Sequence, residues 1–178
     1  MKRIIIFILV TLISTSMVSA QTNRAYKKGY QGCVEVGNYA VFGKDKYGGM
    51  PQISTTQGYK TGTGIYLGVG AGVAYELVED IPVFPFFLDA KYNFADTKVS
   101  PCIAARTGLR VSYDYLAPFL SVAGGVDAGR FTIKVGYEYG SARMQEKQYA
   151  NGYGNVYLGT VTTYRKPSQL FCSFAVNF

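Results

Sequence analysis

The sequence predicts an all-β protein, an eight-stranded antiparallel up-and-down transmembrane β-barrel, on three observations. The first is the end of the chain. Leu170, Cys172, Phe174, Val176 and Phe178 occupy alternate positions with Gln169, Phe171, Ser173, Ala175 and Asn177 between them, the two-residue period of a strand with one apolar face. A lipid-facing strand gives the terminal aromatic an environment, since such barrels carry aromatic girdles at both membrane interfaces. The second is composition: 178 residues with 21 Gly, 16 Tyr and 11 Phe but no Trp and no His, a mixture that suits sheets. The third is that one apolar run alone is long enough to suggest a helix in a membrane, and it reads as a leader.

That run opens the chain. Lys2 and Arg3 precede an apolar core from Ile4 to Ile13, and Val18-Ser19-Ala20 forms a small-residue cleavage site before Gln21, the pattern of a secretory signal peptide. A spanning helix needs about 20 apolar residues, and Ser14, Thr15 and Ser16 interrupt this one. No Cys follows the cleavage point, so no lipid-modified N-terminus is expected. The expected organisation is a signal peptide over 1–20, a short lead over 21–29 and a barrel over 30–178, in the cell outer membrane after cleavage at Ala20.

The strands follow in order. Tyr30 to Phe42 alternates weakly, with Val34, Val36, Ala40 and Phe42 on one face. A Gly-rich loop is expected from Gly43 to Pro51, then Gln52 to Lys60 as the weakest strand, with Ile53, Thr55 and Tyr59 outward. Ile65, Leu67, Val69, Ala71, Val73, Tyr75 and Leu77 form an unbroken apolar column with mostly small residues between. Pro82 to Phe94 turns Phe84, Phe86, Leu88, Ala90, Tyr92 and Phe94 outward. Its prolines, Pro82 and Pro85, count against it, because Pro donates no ladder bond and marks an edge, an end or a bulge; they fall near the upper end of the strand, where a bulge is tolerable. Pro101 to Tyr113 sends out Ile103, Ala105, Thr107, Leu109 and Val111; Tyr115 to Asp127 sends out Leu116, Leu120, Val122 and Val126. Phe131, Ile133, Val135, Tyr137 and Tyr139 define the seventh strand, and the terminal stretch is the eighth. An even count places both termini on one side, the periplasmic side in this reading.

With these residues in place, the chain resembles the small eight-stranded outer-membrane barrels of the OmpA and OmpX type. The resemblance covers nearly all of the mature chain and departs from the pattern in lacking Trp girdles. It implies that Phe174, Val176 and Phe178 form the signal read by the barrel-assembly machinery, and it is silent on what the barrel does.

Strand parity also assigns an interior. Glu35, Glu76, Asp89, Asp127 and Glu138 face inward with Lys91, Arg106, Arg110, Arg130 and Lys134, a balance of acids and bases. Glu35, Asp89, Lys91, Arg106, Arg110, Lys134 and Glu138 are the expected core of a charge network, with Glu35 and Asp89 in reach of Arg106 and Lys134. Eight strands enclose just enough space for their own side chains, so the lumen reads as a packed plug and not a channel. Small inward residues, among them Gly68, Gly70 and Gly72, make room for Tyr39, Phe87, Tyr115, Phe119 and Phe171.

Several chemistries fall away. With no His there is no Ser/His, Cys/His or His-metal site, and an Asp89–Lys91 pair is the one acid–base arrangement left open. Gly68 to Gly72 lacks the Lys-Ser/Thr pair of a phosphate-binding loop. The formal charge of +7, about +5 without Lys2 and Arg3, is spread along the strands, so nucleic acid is not an expected partner. Cys33, Cys102 and Cys172 are read as free thiols, the first two lumenal and the third facing lipid. No catalytic residue, cofactor or metal ligand is assigned.

Function is then expected at the surface. Residues 141–167 read as a protruding extracellular hairpin, with the seventh strand running on to Tyr149, an Asn151-Gly152 turn, an eighth strand beginning near Asn155 and a bulge at Pro167. Tyr149, Tyr153, Tyr157 and Tyr164 are its candidate contacts for an extracellular protein or a glycan. The reading is of a non-enzymatic, monomeric structural protein of the envelope with outer-membrane lipid around it. The alternative is an exported soluble barrel of the lipocalin kind holding a small apolar ligand, which would place its apolar face inside.

Overall fold

The computed structural model describes residues 27–42, 47–77, 80–113, 115–140, 142–150, 156–165 and 168–178. The leader and its cleavage site, the Asn151-Gly152 turn, Tyr153 and Pro167 lie outside the described residues. Ten strands appear in chain order: β1 (Gly29–Phe42), β2 (Tyr47–Lys60), β3 (Ile65–Glu76), β4 (Ile81–Asn93), β5 (Val99–Val111), β6 (Leu116–Ala128), β7 (Phe131–Gly140), β8 (Ala142–Ala150), β9 (Val156–Arg165) and β10 (Ser168–Asn177). Eight of them close in the order β1-β10-β7-β6-β5-β4-β3-β2, all neighbours antiparallel, while β8 and β9 pair with each other.

The pairing fixes the shape of the barrel. Gly29 lies opposite Lys60, Lys60 opposite Tyr66, and the line continues through Lys91, Ala104, Ala123, Gly136 and Phe171 to reach β1 again at Tyr39. One circuit therefore climbs from position 29 to position 39 of the same strand. At ~3.3 Å per residue and ~4.8 Å between strands, that stagger tilts the strands by ~41° and gives a backbone radius of ~8 Å. Such a tilt lies within the range of membrane barrels.

Sidedness then follows from the period. On β4, β5, β6, β7 and β10 buried and exposed residues alternate almost without a break. The exposed set is mainly aliphatic through the middle, with Val69 at 59% and Leu88 at 60% exposure. Aromatics gather towards the two ends: Tyr30, Tyr59, Tyr92, Phe94 and Phe131 on the side of the termini, Tyr75, Phe84 and Tyr139 on the other. Phe131 and Tyr139 sit on one strand, ~20 Å apart along the axis at this rise and tilt, close to the height of an apolar band.

Several boundaries differ from the sequence reading. β2 starts at Tyr47, inside the expected Gly43–Pro51 loop. Gly48, Gly49, Met50 and Pro51 pair with Val41, Ala40, Tyr39 and Asn38. Glycines there are not punctuation; they lie along a paired edge whose Met50 side chain is wholly buried. The β4 prolines make no bulge: Ala71↔Phe86 and Ala74↔Val83 keep one register across Phe84 and Pro85, and only the ladder is interrupted. Arg130, expected inside, is exposed in the β6–β7 turn beside Gly129, whose φ of +66° starts the reversal, so strand parity does not reach it.

Candidate functional site

The lumen holds its charges in three layers. The central one joins four strands. Glu35 on β1 accepts from Arg106 on β5 at 2.9 and 3.3 Å and from Lys134 Nζ on β7 at 2.6 Å, and Arg106 also donates to Asp89 Oδ2 on β4 at 3.1 Å. Two acids meet two bases, all buried. The Arg106 guanidinium lies over the Phe87 ring at 4.2 Å. Charge balance and the shared hydrogen bonds are what make such burial tolerable, because an unpaired ion in a low dielectric costs several kcal/mol; Asp89 Oδ1 alone in this layer is buried without a hydrogen-bond partner.

Towards the termini lies the second layer. Asp127 Oδ2 accepts from Lys91 Nζ at 2.8 Å and Asn93 Nδ2 at 3.2 Å, with Lys60 Nζ at 3.8 Å. Lys60 was not assigned to the interior from sequence. Its signal was the same parity that turned Ile53, Thr55 and Tyr59 outward, carried along Ser54, Thr56 and Gly58 to the last residue of β2. Lys60 takes the place in the interior that Arg130 does not fill. At the opposite end Arg110 pairs with Glu138 at 2.7 Å, at an angle outside hydrogen-bond geometry, and donates to the Met50 sulfur at 3.0 Å. Its guanidinium lies against Tyr39 and Phe119, at 4.9 and 5.1 Å from their ring centroids. Near that rim the Tyr115 hydroxyl donates to Glu76 at 3.3 Å.

Aromatics and glycines complete the plug. Tyr39 and Phe171 stack at 4.9 Å, and Phe87 meets Phe119 edge-on at 6.5 Å. Close approach explains the inward glycines: a Cβ on Gly70 would stand 2.4 Å from the Phe87 ring, and one on Gly68 would stand 2.6 Å from the Tyr66 hydroxyl. These positions are packing notches, as the pattern around Gly68 to Gly72 indicates. Cys33 and Cys102 are buried and Cys172 is exposed; all three are free.

Asp89 and Lys91 point into the same lumen but each is taken by another partner, Asp89 by Arg106 and Lys91 by Asp127. Among the described residues no group of His, Cys, Asp and Glu could hold a metal ion.

Above the barrel stands the β8–β9 ribbon. Ala142↔Arg165 continues the register of Tyr139↔Ser168 with no residue gained or lost on either side. The ribbon is thus an in-register prolongation of β7 and β10. Its irregularity falls between Gln148 and Tyr149, whereas Pro167, where a bulge was expected, lies outside the described residues. In the backbone register Tyr149 is the partner of Tyr157, and Tyr164 the partner of Arg143.

The chain closes on itself at the opposite end. Phe178 N donates to Gly32 O and Gly32 N to Phe178 O, both at 2.9 Å. Phe174 and Val176 are exposed on the outer face of the same strand, and the Phe174 ring stacks on Phe131 at 5.6 Å.

No family model matches the chain, and no curated protein matches it. Among solved structures, Neisserial surface protein A (NspA) aligns with a TM-score of 0.54 over 85% of this chain and 99% of that one. The fold is that of the small eight-stranded outer-membrane barrels. Sequence identity to NspA is 17%, so the likeness is one of fold. The N-terminal β-barrel domain of Pseudomonas aeruginosa OprF aligns over 85% of this chain and 100% of that one, with a TM-score of 0.46 and 12% identity.

Proposed function

We propose that the protein is a non-enzymatic integral barrel of the outer membrane, with a structural role in the envelope and a hairpin that presents a binding edge to the exterior. The observation that carries this reading is the inversion of the two faces. Aliphatic residues cover the outside between two groups of aromatics, while ten buried or half-buried acids and bases line the inside. Water would penalise that outer face, and a bilayer solvates it. The same inversion speaks against a lipocalin-like carrier, whose apolar ligand would find a lumen filled by ion pairs.

The surface role rests on the ribbon. From Phe131 to Ala150 the strand direction continues for ~50 Å along the axis at ~3.3 Å per residue and ~41° tilt, about twice the ~25 Å of an apolar band. Two strands standing clear of the membrane leave outer edges for an added strand or a glycan, with Tyr149, Tyr153, Tyr157 and Tyr164 as aromatic contacts. Phe174, Val176 and Phe178 serve as the assembly signal in this reading.

Fractionation tests it. The protein should stay with outer membranes through a urea wash, leave them only in detergent, and migrate differently when boiled and unboiled. Recovery in the soluble fraction without detergent would remove the reading.

A further inference from the structure

The outer face is not uniform. The outward columns of β3, β4, β6 and β7 carry only apolar, aromatic or small residues across the band, and on β5 the hydroxyl of Thr107 is satisfied by its bond to Phe119 O at 3.1 Å. On β1 and β2 the same outward columns carry Asn38, Thr55 and Gln57. Gln57 lies two residues and Thr55 four residues inward from Tyr59, ~5 and ~10 Å along the axis. Both pair with band residues of β3, Gln57 with Val69 and Thr55 with Ala71. They sit within the apolar band and not at its edge.

These groups form a chain. The Tyr30 hydroxyl donates to Gln57 Oε1, Gln57 Nε2 donates to Thr55 Oγ1 at 3.1 Å, and Thr55 Oγ1 donates to Cys33 O at 3.1 Å. The chain uses one of the two amide N–H groups of Gln57 and one of the two lone pairs of its carbonyl. One donor and one acceptor remain on this half-buried side chain of the outer face, and hydrocarbon offers them no partner. Polar side chains at this depth belong to helix and barrel contacts more than to lipid.

We infer that the β1–β2 face is the contact surface of a homodimer, in which a second copy of this chain docks about a two-fold axis passing beside Gln57. The partner is argued from the amide itself. A group that leaves one donor and one acceptor is complementary to its own copy, and a two-fold axis brings the residues beside it onto their own counterparts. Asn38, higher on the same face, has the same double character. The inference rests on the membrane reading above and replaces the expected monomer.

Cross-linking in native membranes tests it. In a Cys172→Ser background, Thr55→Cys is compared with Val122→Cys on β6, four strands away in either direction round the barrel. Cys33 and Cys102 stay buried in the lumen and serve as an internal blank. Oxidation should give a band of twice the monomer mass for Thr55→Cys and little for Val122→Cys. Adding Gln57→Leu should lower that yield about tenfold, the effect of two lost intramembrane hydrogen bonds, while the boiled and unboiled gel shift persists. Equal cross-linking at both sites, no cross-link at Thr55→Cys, or a product of another mass would overturn the dimer while leaving the membrane reading intact. A soluble, unshifted protein would instead remove the membrane reading.

Discussion

The ring of Phe178 occupies the space that a side chain at Gly32 would need: a Cβ there would stand 2.4 Å from Phe178 Cε2. The last residue of the chain therefore closes the barrel in two ways, by paired backbone bonds to Gly32 and by an aromatic ring laid over a residue that has no side chain.

Replacing Gly32 with Val should displace the ring and cost about 1 to 3 kcal/mol, the usual penalty for overpacking. Phe178→Ser should also lower outer-membrane levels. In the double variant the ring clash is gone and only the approach to Gln57 Oε1, 2.6 Å from the new Cβ, remains, so Gly32→Val should cost less on top of Phe178→Ser than it does alone, a non-additivity that a double-mutant cycle measures directly. Additive losses in urea refolding would show that the two residues act independently.

The central layer makes a second prediction. Glu35→Ala leaves Arg106 with Asp89 alone and Lys134 without its 2.6 Å partner, and should cost about 3 to 5 kcal/mol. Val135→Arg, one residue beyond Lys134, should cost about 2 to 4 kcal/mol because it places a charge in lipid. Refolding into lipid separates the two causes: lowering Lys134 to Met should relieve part of the Glu35→Ala loss and none of the Val135→Arg loss.

In the layer near the termini, two bases share one acid. Asp127→Asn should be destabilising by about 3 to 5 kcal/mol, since it leaves Lys60 and Lys91 buried together. Lys60→Met should be close to neutral, because Lys60 is the more distant partner at 3.8 Å. Equal losses in the two variants would show that Lys60 carries as much of the pairing as Lys91 does.

Period and parity made most of this architecture legible. A residue's face follows from counting by two, which is why the aliphatic columns and the lumenal charges could be read before any contact was known. Counting fails where a strand ends. Arg130 left the pattern because a Gly129 turn intervenes, and Lys60 was overlooked because its strand, with Thr55 and Gln57 on the lipid side, lacks a clean apolar column. The Gly48–Pro51 segment read as loop because its strand character comes from pairing with β1 and not from its own residues. Long-range geometry was illegible for a different reason. The stagger between Gly29 and Tyr39, and the meeting of Gly32 with Phe178, are properties of closure that no local pattern encodes.

The ribbon supplies the last prediction. Its register continues that of β7 and β10, so it can be shortened without shifting any barrel pair. Deleting Met144 to Thr163 removes most of β8 and β9 and leaves Arg143 joined to Tyr164, its own partner across the ribbon. The barrel should then fold with an unchanged boiled and unboiled gel shift and near-unchanged urea stability, because the lumenal layers lie wholly on the retained strands. Protease added to intact cells should cut the full-length protein between Gln145 and Gly154, where the ribbon stands beyond the bilayer, and should find no such site in the shortened form. Any binding to a host protein or glycan should be lost with the ribbon. Protection of that segment in intact cells would place the ribbon on the other side of the membrane, and unfolding of the shortened barrel would mean that β8 and β9 support the rim instead of projecting from it.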